Sequence, residues 1–183
     1  KEILQRMRKL IIIVMALALA SCTKASFEST YNSQEAKIDQ FIESQLKRDS
    51  TLTVVHNKGS HRLVLSPGQG EELGEKGRVA FYYCGYVFNS GISPQYMFAT
   101  NNKDEAESVG WNAEATDFEV KTVDMSSADL HRGLREGLVG VKAGEQCIIL
   151  FSGKYGFGKK SVGTIPANSA LAYVVWVEGV SNE

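Results

Sequence analysis

The sequence predicts an α+β fold: an antiparallel β-sheet with one short helix packed on a face, preceded by a longer amphipathic helix. From Thr51 to Val180 the chain runs mostly in short stretches rich in β-branched and aromatic residues, broken by Gly, Asn, Ser and Pro turns. One interval departs from this pattern, Asp129 to Val141, where Leu130, Leu134 and Leu138 recur at four-residue spacing. Ahead of the strands, Ile38, Phe41, Ile42 and Leu46 recur at helical spacing across Ser33 to Arg48, with Glu35, Lys37, Asp39, Glu43 and Lys47 on the other faces. Strands with one brief helix between them are the pattern of a helix laid on an antiparallel sheet.

In chain order, Met7-Arg8-Lys9 is followed by an uncharged apolar stretch from Leu10 to Ala20 and then by Leu19-Ala20-Ser21-Cys22. A charged start, a short apolar core and small residues at its end are the parts of a secretory signal, and the stretch is too short for a spanning helix, which needs roughly 20 residues. Residues 1–21 are therefore expected to be a leader outside the fold. The Leu-Ala-Ser-Cys ending resembles the lipobox of bacterial lipoproteins, which implies lipid attachment at Cys22 and a membrane anchor of two or more acyl chains, each buried methylene contributing about 0.8 kcal/mol. Thr23 after the cysteine is similar to lipoproteins sent to the outer membrane, so the resemblance implies a cell-envelope location facing the periplasm. Residues 22–32 are small and polar and read as a tether.

Residues 33–58 are expected to hold the N-terminal helix and a first strand. Asn32 with Glu35 three residues on has the form of a helix start. The apolar stripe is expected to dock on the same chain; the alternative is a second copy, which would make a homodimer through this helix. Residues 59–183 are expected to form the main domain. Its strands are placed at Arg62–Leu65, Arg78–Val87, Phe118–Val123, Gln146–Ser152 and Ala170–Val180, following a first strand at Thr51–His56. Residues 89–117 lack sustained periodicity and read as a long, partly irregular insertion.

Composition narrows the function. A formal net charge of -1, with lysines and arginines scattered among acids, leaves no basic excess for a nucleic-acid partner. Cys84 and Cys147 lie in apolar strand-like runs, which suits buried free thiols, with a disulfide as the alternative in an oxidising compartment. His56, His61 and His131 are not spaced to bind a metal from one face of a regular element, so no metal ligand and no cofactor is assigned. Gly153, Gly156 and Gly158 read as turn glycines, because no strand-turn-helix setting for phosphate surrounds them.

Four segments carry a family resemblance: Arg132-Gly133-Leu134-Arg135-Glu136-Gly137-Leu138, Val141-Lys142-Ala143-Gly144, Tyr155-Gly156-Phe157-Gly158, and Ile165-Pro166-Ala167-Asn168-Ser169-Ala170-Leu171. In order and spacing they are similar to the FKBP-type peptidyl-prolyl cis/trans isomerases. Leu65-Ser66-Pro67-Gly68 and Tyr82-Tyr83-Cys84-Gly85 extend the likeness upstream, to about residues 60–180. The resemblance implies a twisted sheet wrapped around the short helix, with an apolar pocket between them. It assigns that pocket to Tyr83, Phe98, Phe118, Leu130, His131, Leu134, Phe157, Ile165 and Tyr173. Leu134 would form the floor, and the His131 amide would meet the substrate carbonyl. The implied partners are proline-containing polypeptides, and the implied role is assistance to the folding of exported proteins.

Such a pocket needs no nucleophile or metal. Amide resonance sets a barrier of roughly 18–20 kcal/mol to rotation about the peptide bond, and the planar amide is more dipolar than the twisted transition state. An apolar wall with one placed donor therefore favours the twisted form. The sequence departs from the family in several places. Ala99 stands after Phe98 where an aspartate is usual, Phe157 stands for a tyrosine, Leu134 for a tryptophan, and Tyr173 for a phenylalanine. These departures predict reduced isomerase activity, with a non-catalytic binding module of the envelope as the alternative. Trp111, in the insertion, is read as a lid, an exposed binding residue or a local anchor.

Overall fold

The structure is a computed structural model that describes residues 26–111, 116–127 and 130–183. The leader and Cys22 lie outside these residues. The strands are β1 (Thr53–Asn57), β2 (Ser60–Ser66), β3 (Arg78–Val87), β4 (Met97–Thr100), β5 (Lys121–Asp124), β6 (Gln146–Phe151) and β7 (Leu171–Ser181). The helices are α1 (26–48), α2 (Lys103–Ser108) and α3 (Arg132–Leu138), with a 3-10 turn at Pro94–Tyr96.

All pairings are antiparallel, in the order β1-β2-β6-β7-β3-β4, and β5 also pairs with β3. β3 is long enough to serve two neighbours on one side: Arg78–Phe81 pair with β5 and Cys84–Tyr86 with β4.

Alternation along the strands sends side chains to two cores. Cys147, Ile149 and Phe151 of β6 join Leu171, Tyr173 and Val175 of β7 beneath α3, where Leu134 and Leu138 meet them. Ile148, Leu150 and Ala172 point the other way, onto Ile38 and Ile42 of α1. A sheet covered on both faces explains why β6 reads as an unbroken apolar run instead of an alternation. The expected apolar stripe of α1 is buried on its own chain, with Ile38 0% and Ile42 5% exposed.

α1 begins earlier than the sequence suggests. Residues 26–32, read as part of a tether, are helical, because their side chains find tertiary partners: Lys159 Nζ sits 4.3 Å from the centroid of the Phe27 ring, and the Tyr31 hydroxyl donates to Asn168 Oδ1 at 2.7 Å. The Asn32–Glu35 pair is thus inside the helix and caps nothing. β1 pairs with β2 from Thr53 to Asn57, so a boundary at residue 58 falls inside a hairpin. The insertion is more regular than expected, since it holds β4 and α2. β5 starts at Lys121 and not at Phe118, and the interval 129–141 contributes a helix of only one to two turns.

Arg62 fixes the end of α3. Its guanidinium donates to the carbonyls of Gly137 at 3.2 Å, Val139 at 2.8 Å and Gly140 at 3.3 Å, and pairs with Glu145, Nε to Oε1, at 3.2 Å. Both side chains are 6% exposed. A cation there satisfies carbonyls that a helix C-terminus leaves unpaired.

Candidate functional site

α3 brings three of the expected residues together. His131 is its N-cap, with an extended backbone (φ -65, ψ 152) that leaves the His131 N–H outside the helical bonding pattern. Gly133, two residues on, lies against the Phe151 ring and donates its N–H to the Tyr155 carbonyl at 2.7 Å. A Cβ at Gly133 would overlap that ring, so glycine here lets α3 sit low enough for Leu134 to face the sheet.

Between α3 and the sheet is a cavity of about 150 Å3. Leu130, His131 and Leu134 line one side, and Tyr83, Phe98 and Tyr173 the other. Phe81, Ala99, Lys121 and Phe157 complete it. An apolar cavity of this size accepts a ring as large as benzene, so the five-membered ring of proline fits.

The rings hold one another in place. His131 stacks on Phe157 with centroids 5.1 Å apart and meets Phe151 edge-on at 5.2 Å. Phe98 meets Tyr173 edge-on at 5.8 Å. Phe98 reaches the cavity by crossing Gly85, where a Cβ would stand 2.7 Å from its Cζ. The glycine is needed for that close approach.

One polar contact lies inside this wall. The Tyr173 hydroxyl is 3.0 Å from His131 Nε2. Burial pushes the His131 pKa down to about 4, and burial raises that of Tyr173 far above its usual value. At neutral pH the imidazole is uncharged and the phenol keeps its proton, so one hydrogen is shared between the Tyr173 hydroxyl and Nε2. Two polar groups of the cavity wall are thus paired with each other.

Asn101 closes the gap between β4 and β5 and was not foreseen from the sequence. It is 5% exposed. Its Oδ1 accepts from the Tyr83 N–H at 2.6 Å, and its Nδ2 donates to the carbonyls of Phe81 at 3.2 Å and Glu119 at 3.0 Å. One side chain thus ties together the strands that carry Tyr83, Ala99 and Lys121.

Of the nine pocket positions expected, Tyr83, Phe98, Leu130, His131, Leu134, Phe157 and Tyr173 line the cavity. Phe118 and Ile165 do not. Ile165 is 4% exposed and packs in the adjoining core, its backbone exchanging hydrogen bonds with Val162. Phe118 precedes β5 and is half-buried outside the lining. In β5 the residues facing the cavity side are Lys121 and Val123, and even-numbered positions point away. Lys121 supplies the wall that Phe118 was expected to supply, and it is the charged residue of the lining.

Trp111 lines an adjoining hollow of about 420 Å3 that shares Tyr83, Phe98, Ala99 and Lys121 with the pocket, and its Nε1 donates to Thr116 Oγ1 at 3.0 Å. It is a neighbour of the pocket anchored within its own loop. A larger hollow of about 730 Å3 lies elsewhere, between α1, the β3–β4 connection and residues 164–170. It is open and about half polar and lacks the convergent rings, so the smaller cavity is the better candidate for proline. Cys84 and Cys147 are both buried and free.

The FKBP-type peptidyl-prolyl cis-trans isomerase family model matches residues 75–178, a span that includes every residue of the cavity. The chain belongs to this family. The FKBP-type assignment accounts for the ring-lined cavity over α3 and for the order of the sheet. The FK506-binding protein 1 of Aspergillus oryzae is 25% identical over 117 residues, covering 64% of this chain and 94% of that protein. FkpA from Escherichia coli has a similar fold, with a TM-score of 0.56 at 20% identity over 94% of this chain and 71% of its own. A peptidyl-prolyl cis-trans isomerase from Pseudomonas syringae pv. tomato gives 0.56 at 16% identity over 84% of this chain and 96% of its own. Within the FKBP-type framework, the residues that sequence reasoning missed are Phe81, Lys121 and Asn101. The alternation along β3 and β5 held a signal for the first two; nothing local marks Asn101.

Proposed function

We propose that this chain catalyses cis/trans isomerisation of X-Pro bonds with reduced activity, on proline-containing segments of exported polypeptides, while tethered to a membrane of the cell envelope. The observation that carries the reading is the apolar, ring-lined cavity of about 150 Å3 with Leu134 beneath it. A proline placed there leaves water, and its amide loses solvation that favours the planar, dipolar form. The His131 N–H, free of helical bonding, is positioned at the mouth of α3 to donate to the substrate carbonyl as the bond twists.

Reduced activity follows from what the lining lacks. Ala99 and Phe157 offer no hydrogen bond to a substrate backbone, and the Tyr173 hydroxyl is engaged by His131. The same observations favour a second reading, a binding module that holds proline-containing segments without turnover. The leader, Cys22 and Thr23 support tethering at the outer membrane, facing the periplasm.

Isomerisation of a short X-Pro peptide series by purified residues 23–183, beside a variant carrying Ala99→Asp and Phe157→Tyr, tests the enzyme reading. Catalysis by the native chain is expected, with a gain of about 10- to 100-fold in the variant, since each restored hydrogen bond contributes roughly 0.5–1.5 kcal/mol. A native rate equal to the uncatalysed one for every peptide would overturn it in favour of the binding module. Membrane fractionation of the chain against Cys22→Ser tests the anchor: loss from the membrane fraction is expected, and retention would overturn it.

A further inference from the structure

The sheet face covered by α1 carries a separate polar cluster. His56 on β1 and His61 on β2 are cross-strand partners, joined by a tight turn with Lys58 at φ 46 and Gly59 at φ 90. Positive φ at both central residues is the geometry of a two-residue hairpin, which fixes the register. The rings meet edge to face with centroids 4.9 Å apart, and the two Nδ1 atoms are 2.8 Å from one another.

The other side of His61 is held by α1. Its Nε2 lies 3.0 Å from Glu35 Oε2. The Glu35 carboxylate accepts the Nε2–H of His61 at that distance. That contact fixes the tautomer, and the Nδ1 lone pair of His61 is aimed at His56. A carboxylate holding the distal N–H of an imidazole is the arrangement that orients metal-ligating histidines.

We propose that His56 and His61 form a two-histidine site for a divalent transition-metal ion, Cu2+ above others, with Glu35 positioning His61. Nitrogens about 2.0 Å from one ion lie about 2.8 to 3.3 Å apart, so the hydrogen-bonded pair, at 2.8 Å, needs only a turn of the exposed His56 ring to place both nitrogens on one ion. Cu2+ stands highest in the affinity order for nitrogen sites. Among the described residues no group of three or more His, Cys, Asp or Glu gathers as ligands, and the exposed edge of His56 leaves the remaining positions to water.

Without the ion, one proton bridges the two Nδ1 atoms. Binding at both Nδ1 atoms displaces that proton, which His56 takes back on its exposed Nε2 by exchange with solvent, so both imidazoles stay neutral. The ion then ties β1 to β2 and, through Glu35, strengthens the hold of the hairpin on α1. A ligand that binds only the folded chain raises its stability by mass action.

The test is titration of CuCl2 into the purified chain, followed by electron paramagnetic resonance and thermal unfolding. One saturable equivalent with a two-nitrogen signature and a raised Tm is expected. His56→Ala and the double change of His56 and His61 to Ala should lose that signature. Glu35→Gln should keep the stoichiometry and weaken binding roughly 10- to 100-fold. His56 is exposed and outside the pocket, so its variant stays informative should His61→Ala fail to fold. Uptake by the double variant equal to that of the native chain, or a one-nitrogen signature, would overturn the site. Tighter binding of ZnCl2 than of CuCl2 would overturn the preference for Cu2+.

Discussion

The Tyr173 hydroxyl meets Nε2 of His131 at 3.0 Å, and both rings pack on Phe151, His131 edge-on at 5.2 Å and Tyr173 stacked at 6.0 Å. Residues 42 positions apart in the chain are thereby locked into one wall of the ring-lined cavity. The contact satisfies a nitrogen that would otherwise be buried without a partner, and it holds the residue whose backbone N–H is proposed to meet the substrate.

Tyr173→Phe removes that partner. A buried polar atom left unpaired costs about 1–3 kcal/mol, so the urea midpoint should fall with the slope unchanged. Loosening of His131 should lower kcat/KM for X-Pro peptides about three- to tenfold. Unchanged kcat/KM would show that the dyad only supports the fold.

His131 also sets a pH dependence. Its pKa is about 4 in the fold against 6.5 for the free side chain. Between those values the unfolded chain binds a proton that the folded chain refuses, so stability is full above about pH 6.5 and declines as pH falls toward 4. The loss from this residue is about 3 kcal/mol across that window. Chemical denaturation from pH 4 to 8 on the native chain and on His131→Leu isolates it. The difference between the two curves should carry the slope, and parallel curves would contradict the buried, neutral imidazole.

Lys121 places a positive charge in the pocket lining, beside Ala99. An acidic residue next to the substrate proline should be preferred over a basic one by about two- to fivefold at low salt, the range for a solvent-exposed charge pair. Lys121→Glu should reverse the order. Identical rates for Glu-Pro and Lys-Pro peptides at low ionic strength would show that the ammonium stays clear of the substrate.

α1 reaches the pocket through Gln34. Its Nε2 donates to the Asn168 carbonyl at 2.7 Å, and its Oε1 accepts from the Gly153 N–H at 2.9 Å. Gly153 opens the loop that carries Phe157. Gln34→Ala should therefore lower stability by about 1–2 kcal/mol and raise KM more than it lowers kcat, because Phe157 would be less firmly held. Unchanged KM would separate α1 from the pocket.

The sequence was most legible where one element carried its own signal. Arg78–Val87 is a strand at the predicted limits, since six of its ten residues are β-branched or aromatic, a density that suits a strand. The leucine spacing located α3 within a few residues, and the glycine and proline spacings around it were enough to name the family. β4 and α2, four and six residues long, were missed because segments that short show no sustained periodicity. They are held by pairing with β3 and, in α2, by the Asn102 side chain accepting from the Glu105 N–H.

By itself, then, the sequence determined the class of fold and the short helix, because period along the chain sets which faces are apolar, and its resemblance to the FKBP family implied seven of the residues that line the cavity. Only the tertiary structure decided that Lys121 and not Phe118 closes the wall, that Asn101 joins β3 to the lead of β5, that residues 26–32 are helical, and that His56 faces His61. Each of these depends on register or on contact between distant segments. A shift of one residue in a strand reverses the face of every side chain, and no local pattern in the sequence records that choice.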